Sequence, residues 1–195
     1  MMFDFITIFL VGAILLFAAY TVLQFRGKFP RRTVDDVTPY LRPAELEALQ
    51  TLLDPALETN FRLRMPPAEF RDWQRKRIHL MREYLLRMSH NALVLIEWGN
   101  MEFTEENASP RRAQELQALA QELVQAATEF RLYALLALGK LKLWIILRPT
   151  APSLPGLRKV FGIDALAAYD RLKTAAGCLG LAHGNDYGQE LLERL

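Results

Sequence analysis

Two patterns of apolar and polar positions divide this chain. Residues 5–23 run without a charge and are mostly apolar. At ~1.5 Å of rise per residue, a helix of that length matches the roughly 30 Å hydrocarbon core of a bilayer. After it the pattern changes: apolar residues recur at alternating steps of three and four, as on one face of a helix. No segment alternates with the period of two that a half-buried strand requires.

The elements follow from this periodicity and from its breaks. Pro30, Pro39 and Pro43 punctuate a polar stretch. Pro43 suits the first turn of a short helix over residues 44–53, with Leu46, Leu49, Leu52 and Leu53 on one side, and Asp54-Pro55 ends it. Residues 56–65 read as a short helix or as irregular chain. Pro66-Pro67 opens a long helix over about 67–103, whose seam is Ile78, Met81, Leu85, Met88, Ala92, Leu95 and Gly99. A second stripe of Trp73, Leu80, Tyr84, Val94 and Trp98 widens its apolar face. Ser109 and Pro110 make a good start for a second long helix, about 110–147. Its seam is Leu116, Ala120, Leu123, Ala127, Phe130, Ala134, Ala137, Leu141 and Trp144. Joined by a short turn, the two helices are expected to lie antiparallel. A symmetric turn places Met81 opposite Arg131, Leu95 opposite Gln117 and His90 opposite Glu122. Arg148-Pro149 stops the second helix, and prolines hold the next segment open. C-terminal helices are expected over about 157–181 and 189–195, separated by a glycine-rich break.

The fold class is therefore all-α: one N-terminal transmembrane helix plus a cytoplasmic helical domain built on a long antiparallel hairpin. The expected divisions are an anchor over 1–25, a juxtamembrane linker over 26–43 and an all-helical soluble domain over 44–195.

Charge adds orientation. No basic residue precedes the apolar run and no small-residue cleavage site follows it, so it reads as a retained span and not as a signal peptide. Arg26, Lys28, Arg31 and Arg32 all lie on its C-terminal side. By the positive-inside rule the N-terminus faces outward and the body lies in the cytoplasm, at the inner (plasma) membrane. Cys178 is the single cysteine, as a reducing compartment favours. The formal net charge of +2 conceals a polarity. Arg62, Arg64, Arg71, Arg75, Lys76, Arg77, Arg82 and Arg87 crowd the start of the first long helix. Between residues 130 and 160 stand Arg131, Lys140, Lys142, Arg148, Arg158 and Lys159 without one acid. Acids collect instead toward the turn, at Glu97, Glu102, Glu105, Glu106, Glu115, Glu122 and Glu129.

Candidate chemistry is sparse. His79 and Glu83 are one turn apart, but no HExxH, CxxC or paired ExxH accompanies them, so no metal site is read. Cys178, His183 and Asp186 are close in sequence without the scaffold that a nucleophilic triad needs. The glycines at 177, 180, 184 and 188 follow no strand and are no phosphate loop. No catalytic residue and no cofactor is assigned. Nucleic acid is not expected as a partner, since the chain carries no recognition motif. The expected partners are the lipid bilayer, other membrane or cytoplasmic proteins, and a second copy of the chain. The contact residues read for anionic lipid or for a partner are Arg26, Lys28, Arg31, Arg32, Arg75, Lys76, Arg77, Lys140 and Lys142. The apolar segment 132–147 admits three placements: core, membrane interface or a second span, the last opposed by Lys140 and Lys142 near its middle. The function expected is that of a membrane-anchored interaction protein: a scaffold, adaptor or accessory subunit. The rival is a membrane-associated enzyme working on a lipid or lipid-linked substrate at the basic end of the hairpin.

Overall fold

The computed structural model describes residues 37–102, 110–147, 159–160 and 163–195. The chain divides between Arg31 and Arg32, and all described residues belong to the second unit. A 3-10 turn (Thr38–Tyr40) is followed by α1 (Leu46–Leu52), α2 (Pro55–Arg64), α3 (Pro67–Glu102), α4 (Pro110–Leu147), α5 (Ala165–His183) and α6 (Asn185–Arg194). The all-helical expectation holds, with one small exception. Lys159–Val160 (β1) and Ile163–Asp164 (β2) form a two-residue antiparallel pair. The expected span at residues 5–23 lies outside the described residues. Among the described residues no helix is long and apolar enough to cross a membrane. Segment 132–147 is instead the C-terminal part of α4, which buries Ala134, Ala137 and Leu141.

α4 is the central element, packed between α3 and α5, and α6 folds back on α5. The heptad seam of α3 is buried throughout, from Ile78 to Gly99. The α4 seam is buried from Ala120 to Leu141, and Leu116 is half-buried. The second stripe of α3 divides. Val94 and Trp98 are buried, Trp73 and Tyr84 are half-buried, and Leu80 is exposed. The burial is selective because α1, α5 and the N-terminal segment cover one flank of α3 and leave the other to solvent.

The helices are antiparallel, but their register differs from the one a symmetric turn implies. Gly99 sits against Ala120, Leu123 and Val124. α4 is thus displaced by two to three turns, ~10–17 Å, relative to that expectation. The close contact sets the register. A Cβ on Gly99 would lie 2.6 Å from Val124 Cγ2 and 3.1 Å from the Ala120 carbonyl oxygen. Only a residue without a side chain lets the backbones approach so closely. His90 consequently lies away from Glu122, and its ring meets the Tyr40 carbonyl at 3.1 Å.

Other boundaries shift for local reasons. Residues 55–64, left open above, are helical, with the Asp54 side chain accepting from Ala56 N at 2.8 Å and Pro55 at the first position. α5 begins at Ala165, not near residue 157, because Asp164 caps it by accepting from Leu166 N at 3.0 Å. The β-branched Val160 and Ile163 before it suit extended chain. The break before α6 is one residue, Gly184, with φ 162°. The linker expected to reach residue 43 ends earlier. Val37, Thr38 and Leu41 are buried, and the 3-10 turn packs on α6.

The Gly99 contact generates a prediction. Alanine gains ~1 kcal/mol over glycine in a helix interior, yet overpacking a tight core costs typically ~1–3 kcal/mol. Gly99→Ala is expected to lower stability, read from the midpoint of thermal or denaturant unfolding. Val124→Ala in the same chain should recover part of the loss. An unchanged or raised midpoint for Gly99→Ala would show that the register has another origin.

Candidate functional site

Three polar assemblies interrupt the apolar core, and none is a ready-made reaction centre. The first lies where α1, α2 and α3 meet. Arg77 is 2% exposed. Its Nη1 lies 3.3 Å from Glu58 Oε2, and Glu58 also pairs with the exposed Arg62 at 3.6 Å. Arg77 Nη2 donates to the carbonyls of Leu52 and, at 3.2 Å, of Asp54. It thereby gives a donor to the Leu52 carbonyl at the end of α1 and a second donor to the carbonyl that caps α2. The guanidinium stacks on Trp73 at 4.8 Å, and Trp73 in turn packs against Phe61 and Phe70. Burial pushes the Arg77 pKa down, against the opposing pull of Glu58 and Asp54. Arg77 is therefore a structural clamp, and its place among the lipid-contact residues is withdrawn.

The second assembly centres on Asn91, which is fully buried. Its Oδ1 accepts from Arg42 N at 2.8 Å, and its Nδ2 donates to Arg42 O at 2.7 Å and to the Tyr169 hydroxyl at 3.4 Å. The Tyr169 hydroxyl donates onward to the Leu195 carbonyl at 2.9 Å. One amide thus fastens the N-terminal segment to α3 and, through α5, to the end of α6. Burial pushes the Tyr169 pKa up to about 12.

The third lies at the opposite end of α3. Trp98 Nε1 donates to Glu102 Oε1 at 3.0 Å, and His183 Nε2 approaches Glu102 Oε2 at 3.3 Å. Tyr187 stands edge-on to Trp98, with ring centroids 6.0 Å apart. The residues read together as Cys178, His183 and Asp186 are not assembled. Cys178 and Asp186 are exposed, and His183 turns to Glu102. His79 is exposed, while Glu83 pairs with Arg87. Among the described residues no group of three or more His, Cys, Asp or Glu side chains converges as a metal site would require.

The other basic residues singled out in the sequence fall on the surface or outside the described chain. Arg75 is exposed, 3.9 Å from Asp72. Lys76 and Lys142 are exposed and Lys140 is half-buried. Arg26, Lys28, Arg31 and Arg32 lie outside the described residues. Arg131 is 3% exposed; burial lowers its pKa and Glu97 raises it. The cavity among Leu49, Met81, Phe130 and Leu166 holds about 10 Å³, no more than one water. A groove of about 440 Å³ runs between the start of α4 and Ala182, lined by Arg111, Arg112, Glu115, Leu116 and Leu119. It is open, and its arginines are solvated.

Sequence reasoning missed the Arg77–Glu58 pair and the Asn91 hub. A signal existed for both. On α3, Phe70, Arg77, Tyr84, Asn91 and Trp98 recur at steps of seven, beside the seam. No protein-family model matches this chain, and neither a curated protein nor a solved structure is significantly similar to it.

Two predictions come from these assemblies. Replacing Arg77 with methionine removes the buried partner of Glu58, and breaking a buried pair in this way costs up to ~3–5 kcal/mol. Arg77→Met with Glu58→Met should recover most of that loss, whereas Arg75→Gln should stay within about 0.5 kcal/mol of the parent. Equal effects at Arg75 and Arg77 in chemical denaturation would contradict the burial of Arg77. The second concerns alkali. The folded pKa of Tyr169 lies above its ordinary value near 10, so its stabilising contribution is complete below pH 10 and is lost as pH rises through 12. The expected loss is roughly 2–3 kcal/mol. Tyr169→Phe should flatten the decline of stability between pH 10 and 12, and an unchanged slope would refute the assignment.

Proposed function

We propose that the chain is a single-pass membrane protein whose helical body serves as an interaction scaffold: an adaptor or accessory subunit of a membrane complex. The observation that carries this reading is the filled core beside an uncovered surface. The void at the junction of α1, α3, α4 and α5 is about 10 Å³, too small for a substrate. Meanwhile Leu80, Leu86 and Leu132 stay 45%, 42% and 52% exposed on the two longest helices. Exposed apolar residues on long, rigid helices suit contact with another macromolecule. The rival enzyme reading would hold a phosphate with Arg75, Arg77, Lys140 or Lys142, and of these Arg77 is committed to Glu58 and the end of α1. The run at residues 5–23 supplies the anchor in this proposal, with the body on the cytoplasmic side.

The test has two arms. A reporter enzyme active only outside the cytoplasm, joined after Leu195, should be inactive. The protein extracted from its native membrane in mild detergent should elute with a partner in fixed stoichiometry. Elution as the lone 22.4 kDa chain would remove the scaffold reading, and an active reporter would reverse the topology.

A further inference from the structure

The outer face of the α3/α4 pair joins basic and apolar residues that are far apart in sequence. The packing identifies that face. On α3, the flank carrying Arg77, Asn91 and Trp98 is covered by α1, the N-terminal segment, α5 and α6. The opposite flank carries Arg75, Arg82 and Ser89, and next to it lies Leu86. On α4, Val124 touches Gly99 and Arg131 responds to Glu97, so the flank of residues 124, 131 and 138 faces α3. Glu129 meets Arg171 at 2.9 Å, so the other flank faces α5. Thr128, Leu135 and Lys142 therefore border the outer side, with Leu132 and Gly139 at its crest. Stepping equally along both antiparallel helices from the Gly99–Val124 contact brings Arg82 level with Leu141, next to Lys142 and one turn from Leu138.

This face has an apolar part and, beside it, a basic end. Leu132 and Leu86 are exposed, and Leu135 and Leu138 are half-buried. Gly139 adds no side chain, and nothing lies within 4 Å of where its Cβ would stand. Arg75, Arg82 and Lys142 are exposed and follow these residues toward the open end of the hairpin. The neighbouring acids are matched, Asp72 by Arg75 at 3.9 Å and Glu83 by Arg87. From residue 130 to residue 160 the sequence holds no acid at all.

We propose that this face seats on an anionic lipid surface, its leucines entering the headgroup layer while Arg75, Arg82 and Lys142 reach the lipid phosphates. Charge complementarity chooses the occupant. A second copy would bring the same three cations, and α4 holds no acid between residues 130 and 147 to oppose them. Glu115 and Glu122 lie on the α5 side of α4. A lipid headgroup layer supplies the missing negative charge, and long basic side chains extend along an apolar surface while keeping their charged ends in water. The face differs from the set read in the sequence. Arg77 leaves it, and Arg82, Leu86, Leu132, Leu135 and Gly139 enter. It stands apart from the scaffold reading, since it concerns the bilayer and not a protein partner.

The experiment uses the full chain in vesicles. With Cys178→Ser as background, Leu132→Cys is labelled with an environment-sensitive fluorophore. Ala118→Cys, exposed on the same line of α4 four turns away (~21 Å), is the control. Reconstitution into neutral phosphatidylcholine, and into the same lipid with a third phosphatidylserine, is followed by quenching from lipids spin-labelled near the headgroup. The label at 132 should be blue-shifted and quenched several-fold more in the anionic vesicles, and the label at 118 should not. Arg75→Glu, Arg82→Glu and Lys142→Glu together should abolish the difference with helicity and melting temperature kept, since all three side chains are exposed. Raising salt should weaken it, because the attraction is screened over ~10 Å at roughly 0.1 M. Equal quenching in both vesicles, or none at 132 in a folded chain, would overturn the proposal. A concentration-dependent blue shift at 132 without lipid quenching would assign the face to a second copy instead. Chains that fail to float with any vesicle would refute the anchor, while quenching of such chains added to anionic vesicles would still support the face.

Discussion

The body of this protein depends on one buried amide. Asn91 has three of its hydrogen-bonding positions filled within the fold, by both backbone groups of Arg42 and by Tyr169. A buried side-chain amide without partners destabilises a core by several kcal/mol. Its bonds also require particular neighbours, as a generic apolar contact does not. The segment around Arg42 must run along α3 at that level, and Tyr169 must approach from α5. Tyr169 then holds the Leu195 carbonyl, so the last helix is placed by the same chain of donors. Apolar burial supplies most of the driving force. The amide selects which arrangement of helices is adopted.

Arg77 performs a related task at the other end of α3. α1 is only seven residues long and ends in carbonyls that need donors. The Arg77 guanidinium supplies one to the last of them, Leu52, from a helix that follows much later, and Glu58 balances its charge from α2. Two short helices with little independent stability are thereby fixed to the long one. A buried ion pair of this kind contributes more to specificity of placement than to net stability, since desolvation offsets much of the attraction.

Much of the fold was legible because periodicity is a local property. The limits of α3 and α4 and nearly all their seam residues follow from steps of three and four, and the burial of Met81, Leu85, Leu123 and Phe130 agrees with them. The register was not legible. Turn length predicts a symmetric pairing, while the actual pairing depends on how closely Gly99 approaches Ala120, a matter of three-dimensional fit. The charged residues failed in the same way. Arg75, Lys76 and Arg77 are consecutive and chemically alike, yet two are solvated and the third is buried. The distinction follows from helix phase: Arg77 is seven residues before Tyr84 and fourteen before Asn91, on the covered flank. Linear charge runs combine such residues, whereas the helix separates them onto different faces. The apolar outer face of α4 was visible as a run of leucines, but Arg75 and Arg82 join its Lys142 from α3 and emerge there only once the two helices are aligned.

The repeat of seven along α3 and α4 has a consequence for length. Removing or adding seven residues in each helix, at matching levels between Arg82 and Met88, returns every side chain to its former direction. The hairpin would change by about 10 Å and keep its seam, its covered flank and its outer face. A step of one or two residues would rotate the basic end against the Asn91 end by ~100° or more. The body is therefore a spacer adjustable only in steps that nearly complete whole turns, and the distance between its two ends is quantised by the same geometry that holds them together.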